Sequence, residues 1–212
     1  MSVGIGKKVK PGEVAVIFGQ ELVALGIVPV LKERNVAKII TADISELRRK
    51  ASKEIGADIV VNPLKEDIIE IVMEETKGMG AEFVVVMDER PIAIQQAMHV
   101  VRQFGKIWLT KPSAYMQLNP AVVNMHPINW RMADAGYAEP PIKFDPSLFS
   151  MQTAWGTLGL RIPRFLEAID LMKSGIITAQ KYVTDIFPLE KTKEAFDRGM
   201  DFNGTIEVMV EP

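Results

Sequence analysis

A short loop between an apolar run and a helix-like segment holds the pattern that most directly indicates chemistry. The apolar run covers residues 14–18, and the loop continues as Gly19-Gln20-Glu21-Leu22-Val23-Ala24. A glycine turn that leads from a buried strand into a helix favours phosphate binding, because main-chain N–H groups and a partial positive charge meet there. The usual dinucleotide fingerprint is G-x-G-x-x-G, and only its first glycine, Gly19, is present here.

Glu21 stands where the fingerprint has its second glycine, the position at which the main chain approaches the pyrophosphate. Two unit charges about 5 Å apart at an effective dielectric constant of about 20 repel by roughly 3 kcal/mol, about a hundredfold in affinity. Ala24 at the third position is a mild change that the G/A form of the motif allows. The loop therefore predicts a dinucleotide site weakened by Glu21.

Asp43 follows a second apolar run, 24 positions after Gly19. An acidic residue about 20 residues beyond the glycine loop is the expected acceptor for the ribose diol. Such a residue favours NAD over NADP, because its charge repels a 2′-phosphate. The alternative is that Asp43 only caps the next helix, and this residue by itself does not decide between the two.

A β/α alternation through the first half of the chain must position these residues. Short apolar runs predict strands at 14–18, 38–42, 59–61, 83–87 and 107–109, and helical patterns predict helices at 22–34, 45–55, 65–77 and 91–102. Strands separated by helices of this length indicate a parallel sheet with helices on both faces. The predicted fold class is α/β, with a doubly wound, mostly parallel Rossmann sheet.

The second half of the chain is less regular. Residues 112–150 contain six prolines together with Tyr115, Trp130 and Tyr137, which predicts an irregular excursion that could also serve as an interface. Beyond it the patterns predict a sixth strand at 151–155, helices at 163–173 and 189–200, and a closing strand at 205–210. We interpret residues 1–212 as one Rossmann-type domain that carries this excursion.

Composition excludes several classes of protein. The chain has 212 residues, no cysteine, and a formal charge of −2. These values exclude a disulfide scaffold, an iron–sulfur cluster and a cysteine zinc site, and they give no basic field for nucleic acid or anionic membrane. The chain has no uninterrupted apolar run of about 18 residues, so the sequence predicts no membrane span. The first residues also lack the pattern of a signal peptide. We expect a cytoplasmic protein in which His99 and His126 are not catalytic.

Six segments, taken in order, resemble the coenzyme-binding half of the medium-chain, zinc-type alcohol dehydrogenases. They read VKPGEVAVIFG, AKIITADISELRRKASKEIGADIVVNP, KGMGAEFVVV, AIQQAMHVVRQFGKIWL, FLEAIDLMKSGII and FPLEKTKEAF. The match covers roughly residues 9–111 and 151–210. It implies a Rossmann fold, an NAD(H)-type site and dimerisation through the sheet edge. The family's separate GroES-like catalytic domain, which holds the zinc ligands and much of the substrate pocket, has no counterpart in these residues, so we expect no zinc and no catalytic residue.

The resemblance also implies roles for single positions. Gly19 matches the first glycine, Asp43 the ribose-binding acid, and Arg48 a basic position beside the adenosine ribose. Where the family usually has glycines near the nicotinamide, this chain has Glu89 after the fourth strand and Thr110 after the fifth, the latter followed by Lys111. The adenosine end of the site is thus intact, and the other end is altered. The candidate cofactor-binding residues are Gly19, Gln20, Glu21, Leu22, Asp43, Arg48, Met87, Asp88, Glu89 and Thr110.

Two functional hypotheses follow. The first is a dinucleotide-binding domain or subunit of an alcohol-dehydrogenase-like oxidoreductase, whose NAD(H) affinity is weakened by Glu21 and Glu89 and whose zinc and substrate come from a separate catalytic chain. The alternative is a non-catalytic structural or interaction module with a degraded NAD crevice, acting as a homodimer or within a larger complex. A further possibility is that Asp43 and Arg48 bind another adenosine-containing ligand. Under each hypothesis the isolated chain does not oxidise alcohols.

Overall fold

The computed structural model describes residues 8–88, 90–109, 129–132 and 162–212, together with Gly6. Within these residues the strands are β1 (Val14–Phe18), β2 (Lys38–Ala42), β3 (Ile59–Val61), β4 (Ala81–Val86), β5 (Val101–Leu109), β6 (Asn129–Met132), β7 (Val183–Pro188) and β8 (Glu207–Glu211). The helices are α1 (Leu22–Glu33), α2 (Glu46–Glu54), α3 (Ile68–Glu75), α4 (Pro91–Val100), α5 (Ile162–Lys173) and α6 (Thr192–Gly199).

The described strands β1 to β6 form one parallel sheet in the order β3-β2-β1-β4-β5-β6. This order, with a helix between successive strands of the first half, confirms the predicted doubly wound α/β fold. The chain order reverses direction between β1 and β4. In open α/β sheets the crevice outside the carboxyl ends of the strands at such a reversal is where ligands bind.

Apolar side chains cover both faces of the sheet. On one face Ile17, Phe83 and Val85 pack against Ile27 and Leu31 of α1. The opposite face packs against α3 and α4 through a cluster that includes Val16, Val84, Ile68, Val72, Ile94 and Met98. Because both faces are covered, the central strands read as continuous apolar runs rather than as alternating patterns.

Helix α1 is buried along most of its length, from Ala24 to Leu31. Its outer surface is covered by the C-terminal part of the chain, since Leu25 packs with Tyr182 and Val30 packs with Leu171. A helix buried on all sides carries apolar residues all round, as this one does. A proline in a helix interior usually bends or weakens the helix, but α1 continues through Pro29 to Glu33.

The C-terminal residues depart from the sequence-based expectation. The strand predicted at 205–210 forms as β8, but it pairs in parallel with β7 in a separate two-stranded sheet and does not close the main sheet. β7 was not predicted, because its partly exposed side chains show neither a buried run nor a clean alternation. The helix predicted at 189–200 is a short 3-10 turn over Leu189–Lys191 followed by α6.

The main sheet also contains a strand where none was predicted. β6 is at Asn129–Met132, inside the segment that the prolines predicted to be irregular, and it continues the sheet parallel to β5. A four-residue strand among prolines gives too short a pattern to be recognised by periodicity. The strand predicted at 151–155 lies outside the described residues.

Candidate functional site

Gly19 directly follows β1 and adopts a left-handed main-chain conformation, with φ of +80°. A Cβ atom at this position would lie 3.0 Å from the main-chain nitrogen of Asp88 and 3.3 Å from Cβ of Met87. Two independent constraints therefore require glycine here: the positive φ and the close approach of the loop between β4 and α4.

Main-chain hydrogen bonds tie the carboxyl ends of four strands together at this edge. Gly19 N–H donates to Ala42 O at 2.8 Å, joining the ends of β1 and β2. Met87 N–H donates to Phe18 O at 2.8 Å, and Asp43 N–H donates to Val61 O at 3.2 Å. The floor of the crevice is thus a continuous main-chain network from β3 to β4.

Asp43 lies at the end of β2 and is 6% exposed. Its Oδ2 accepts a 2.6 Å hydrogen bond from the main-chain N–H of Gln20, and its Oδ1 accepts a 2.7 Å bond from Ser45 N–H. The cap of α2 is Ser45, whose hydroxyl accepts from Arg48 N–H, so Asp43 is not the capping residue. Asp43 instead joins the glycine turn to the loop after β2, and its carboxylate retains lone pairs for further donors.

Gln20 is completely buried behind the glycine turn. Its side-chain amide donates to the carbonyls of Ile17 and Gly19, and its Oε1 accepts a 3.2 Å bond from the hydroxyl of Ser52. The Ser52 hydroxyl lies 2.9 Å from that of Thr41. The sequence placed Gln20 in the loop but gave no signal for this buried network, which depends on residues of β2 and α2.

Glu21 is the residue at which α1 begins. Its main chain is extended, with φ −67° and ψ 168°, and its carbonyl accepts the hydrogen bond from Leu25 N–H. A carboxylate at a helix N-terminus is favourable for the helix, because it complements the partial positive charge there. The same charge opposes a second anion at that end. Leu22, the next residue, is 38% exposed.

Two adjacent arginines of α2 have different partners. Arg48 Nε donates at 3.4 Å to the carbonyl of Thr205, in the C-terminal part of the chain. Arg49 donates at 2.8 Å to the carbonyl of Asp43 and at 2.6 Å to that of Ile44. Of these two arginines, Arg49 is therefore the one that hydrogen-bonds the main chain after β2, and no sequence pattern separates it from its neighbour.

A small cleft of about 80 Å³ opens between the ends of β1, β2, β3 and β4. It is lined by Phe18, Gly19, Ala42, Pro63, Leu64, Asp88, Arg90, Ile92, Ala93 and Gln96. An open groove of about 460 Å³ continues from it along α3 and α4 and reaches His99. Met87, by contrast, is 3% exposed and belongs to the core cluster beside α1.

Asp88 and Arg90 form an ion pair on the wall of the cleft. Arg90 Nε lies 2.9 Å from both carboxylate oxygens of Asp88, and its terminal nitrogen also bonds Oδ2. The hydrogen bonds that Arg90 donates to Asp88 raise the pKa of Arg90 above its ordinary value, and the charges of Asp88 and Asp43 act in the same direction. The sequence predicted Asp88 as a cofactor-binding residue and assigned no role to Arg90, whose pairing depends on the fold of this loop.

The remaining predicted positions are not part of the described site. Glu89 and Thr110, with Lys111, lie outside the described residues, as does His126. Within the described ranges no group of three His, Cys, Asp or Glu side chains is placed to hold a metal ion. None of the helices in that part of the chain is long and apolar enough to span a membrane.

The parallel sheet, the glycine turn and the acidic residue at the end of β2 are together the features of a Rossmann-type dinucleotide-binding domain. A family model described as zinc-binding dehydrogenase matches residues 23–139, more than half of the chain. The chain therefore belongs to this family of medium-chain dehydrogenases.

Comparisons with individual proteins agree with this placement. A sorbitol dehydrogenase of Bacillus subtilis is 27% identical over 97% of the chain and 52% of its own length. An Escherichia coli oxidoreductase of unknown specificity superposes with a TM-score of 0.77 at 20% identity, over 100% of this chain and 56% of its own. An alcohol dehydrogenase from Escherichia coli CFT073, solved with NADH, superposes with a TM-score of 0.75 at 18% identity. The superposition covers 100% of this chain and 57% of that protein. The chain thus spans about half the length of these proteins.

Proposed function

We propose that this chain binds NAD(H) as the coenzyme-binding part of an alcohol-dehydrogenase-like oxidoreductase, through a glycine loop whose affinity Glu21 reduces. The observation that carries the proposal is the position of Asp43. Its carboxylate is fixed at the end of β2, bonded to the loop that begins at Gly19, at the reversal of strand order. NAD binding is consistent with the family, and one structural neighbour was solved with NADH.

The residues of the crevice fit the adenosine half of such a coenzyme. Asp43 would accept hydrogen bonds from ribose hydroxyl groups with its remaining lone pairs. The left-handed Gly19 turn keeps the floor free of a Cβ, and the N-terminus of α1 offers its partial positive charge to a pyrophosphate. When bound, the coenzyme would supply hydride transfer, and the protein would position it.

Glu21 is the residue that opposes this binding. Glu21 is the N-cap residue of α1, at the helix end that would attract the pyrophosphate. A negative side chain at a helix N-terminus offsets part of the positive charge there. Glu89 adds a further negative charge to the sequence where the family usually has glycine. We infer that the affinity for NAD(H) is lower than a site with the full glycine fingerprint would have.

The activity of the whole oxidoreductase belongs to this proposal as well. Because the chain spans about half the length of its relatives, we infer that the substrate pocket is supplied by residues outside these 212, in the same or a separate polypeptide. Association of two copies through the edge of the main sheet is a further part of the proposal.

A second candidate is a non-catalytic interaction module that keeps the fold but not the coenzyme. It is favoured by Glu21 at the start of α1 and by the bonding of both Asp43 oxygens to main-chain N–H groups. In this case the crevice would no longer bind a coenzyme, and the fold would serve only to bind a partner protein.

Titration with NADH, followed by coenzyme fluorescence, separates the two candidates. The chain is compared with Glu21→Gly and Glu21→Gln, and with Glu46→Gln, which removes a charge from the first turn of α2 instead. We expect Glu21→Gly to bind up to about a hundredfold more tightly, because it removes both the charge repulsion and the side chain. Glu21→Gln should show the part due to charge, and Glu46→Gln should bind as the unchanged chain does.

Absence of NADH binding in both the unchanged chain and Glu21→Gly, with both proteins folded, would contradict the coenzyme proposal. The non-catalytic module would then be the better account. Binding by the unchanged chain that Glu21→Gly does not improve would retain the coenzyme and refute the inhibitory role of Glu21.

A further inference from the structure

Asp88 and Arg90 form a closed pair rather than two separate charges. Arg90 Nε is 2.9 Å from each oxygen of Asp88, and the main-chain N–H of Arg90 donates to Oδ1 at 2.9 Å. The Asp88 side chain is 15% exposed and that of Arg90 is 43% exposed. The acid is therefore the fixed member of the pair, and it holds the guanidinium in one orientation.

The pair lies on the wall of the cleft beside the end of β2. The same cleft is lined by Gly19, which begins the loop bonded to Asp43, and by Ala42, which precedes Asp43. The charge of Asp43 also acts on Arg90. Arg90 thus lies on the same cleft wall as Gly19 and Ala42, and it is close enough to Asp43 for the two charges to interact.

A guanidinium is the side chain best suited to bind phosphate, because its planar N–H groups can form two parallel hydrogen bonds to the oxygens. A coenzyme with a 2′-phosphate needs such a cation, since that phosphate would otherwise face the charge of Asp43. Among the described residues that line the cleft, Arg90 is the basic one, but its Nε and one terminal nitrogen are already bonded to Asp88.

We propose that Asp88 sets the coenzyme preference of this cleft for NAD(H) over NADP(H), by holding Arg90 in an ion pair that withholds its guanidinium from a 2′-phosphate. Asp43 contributes repulsion, and Asp88 removes the charge that would neutralise it. The coenzyme preference therefore depends on a second acid that does not itself contact the ribose. This inference rests on the proposed NAD(H) function.

The test measures how strongly the 212-residue chain prefers a 2′-phosphate. Adenosine 2′,5′-bisphosphate and AMP are titrated by calorimetry, and NADPH and NADH by fluorescence. The variants are Asp88→Asn, Arg90→Gln and the double variant. The asparagine is close in shape to aspartate, and its Oδ1 can still accept from Arg90 N–H, so the loop keeps its local bond.

Glu82→Gln is the matched control. Glu82 pairs with Arg102 at 2.9 Å near the start of β4, at the opposite end of this strand from Asp88. Its substitution removes one negative charge from an arginine pair without touching the cleft. Thermal melts of all variants establish that each protein is folded.

We expect Asp88→Asn to raise the NADPH-to-NADH affinity ratio about tenfold, with the same rise for the bisphosphate against AMP, because a charged hydrogen-bond donor becomes available. The rise should disappear in the double variant and be absent in Glu82→Gln. An unchanged ratio in Asp88→Asn, or a rise that persists without Arg90, would overturn the proposal. Failure of folded wild-type chain and Asp88→Asn to bind any of the four ligands would instead refute the coenzyme function on which it rests.

Discussion

The main-chain N–H of Gln20 lies 2.6 Å from Oδ2 of Asp43, and this bond joins the glycine loop to the end of the neighbouring strand. Because Ser45 N–H bonds the other oxygen, the carboxylate has one orientation before any ligand arrives. Asp43 is thus a structural residue and a candidate ligand-binding residue at once, so its substitution should affect stability and binding together.

Asp43→Asn should lower the free energy of unfolding by about 1–3 kcal/mol, as expected when a buried main-chain donor loses its acceptor. An amide group can accept at one position only, so one of the two N–H groups would face another donor. Urea denaturation measures the stability, and NADH titration should show a parallel loss of affinity.

Asp67→Asn is the control for this substitution. Asp67 also accepts from two main-chain N–H groups, those of Ile69 and Glu70, but it is exposed and caps α3. Asparagine caps helices about as well as aspartate, so this variant should be nearly neutral. Equal losses at the two positions would mean that the buried position of Asp43 gives its bonds no special weight.

Gly19→Ala and Gly12→Ala compare two glycines with the same main-chain conformation. Their φ angles are +80° and +79°, but a Cβ at Gly12 meets no described atom within 4 Å, whereas one at Gly19 lies 3.0 Å from Asp88 N. Gly12→Ala should cost about 1–2 kcal/mol from its φ alone. Gly19→Ala should cost about 1–3 kcal/mol more, because the loop after β4 must move.

Chemical denaturation of both glycine variants gives this difference directly. An equal cost at the two positions would show that the contact between the Gly19 turn and Asp88 carries no energy. NADH titration should separate them further, since Gly12 lies at the opposite end of β1 from the cleft.

The interactions of Asp58 should make part of the free energy of unfolding depend on pH. Partial burial would raise its pKa, but hydrogen bonds from Lys32 and Ile39 N–H and the charges of Lys32 and Lys53 outweigh it, so the pKa is lowered below 3.8. A lowered pKa means that the contribution is present above the unfolded-state value and is lost as the pH falls through the folded-state value.

Asp58→Asn should therefore destabilise the protein at pH 7 and progressively less below about pH 4. Ion pairs this exposed contribute up to about 1 kcal/mol, so the difference will be small. Urea denaturation between pH 3 and pH 7 measures it. Lys32→Met should remove part of the same pH dependence, and a difference between Asp58→Asn and the unchanged protein that is constant over this range would contradict the assignment.

The fold of the first half could be predicted because each strand and helix there is a local signal. The run from Val14 to Phe18 is buried on both faces, and the positive φ at Gly56 follows α2 where a helix stop was expected. β6 and β7 were not predicted, because their short or half-exposed sequences carry no clear period. β8 was predicted as a strand, but its pairing with β7 depends on a distant segment and was not.

The site shows the same division between local and distant information. Gly19 and Asp43 are found by their spacing from the strands, which is a property of the sequence. The Asp88–Arg90 pair and the buried Gln20 amide are not, because their roles arise from the meeting of separate loops. No spacing rule reports which of two neighbouring arginines bonds the end of β2.

The main-chain bonds that join the ends of β1, β2, β3 and β4 determine the shape of the crevice, whereas the side chains around it determine what it binds. These bonds use no side-chain atoms, so substitutions in the surrounding loops that leave the Gly19 turn intact do not remove them. Side chains such as Leu64 or Arg90 can be exchanged in evolution while the floor keeps its shape. A crevice built in this way can acquire, lose or alter a ligand by a few substitutions, and the fold need not change with it.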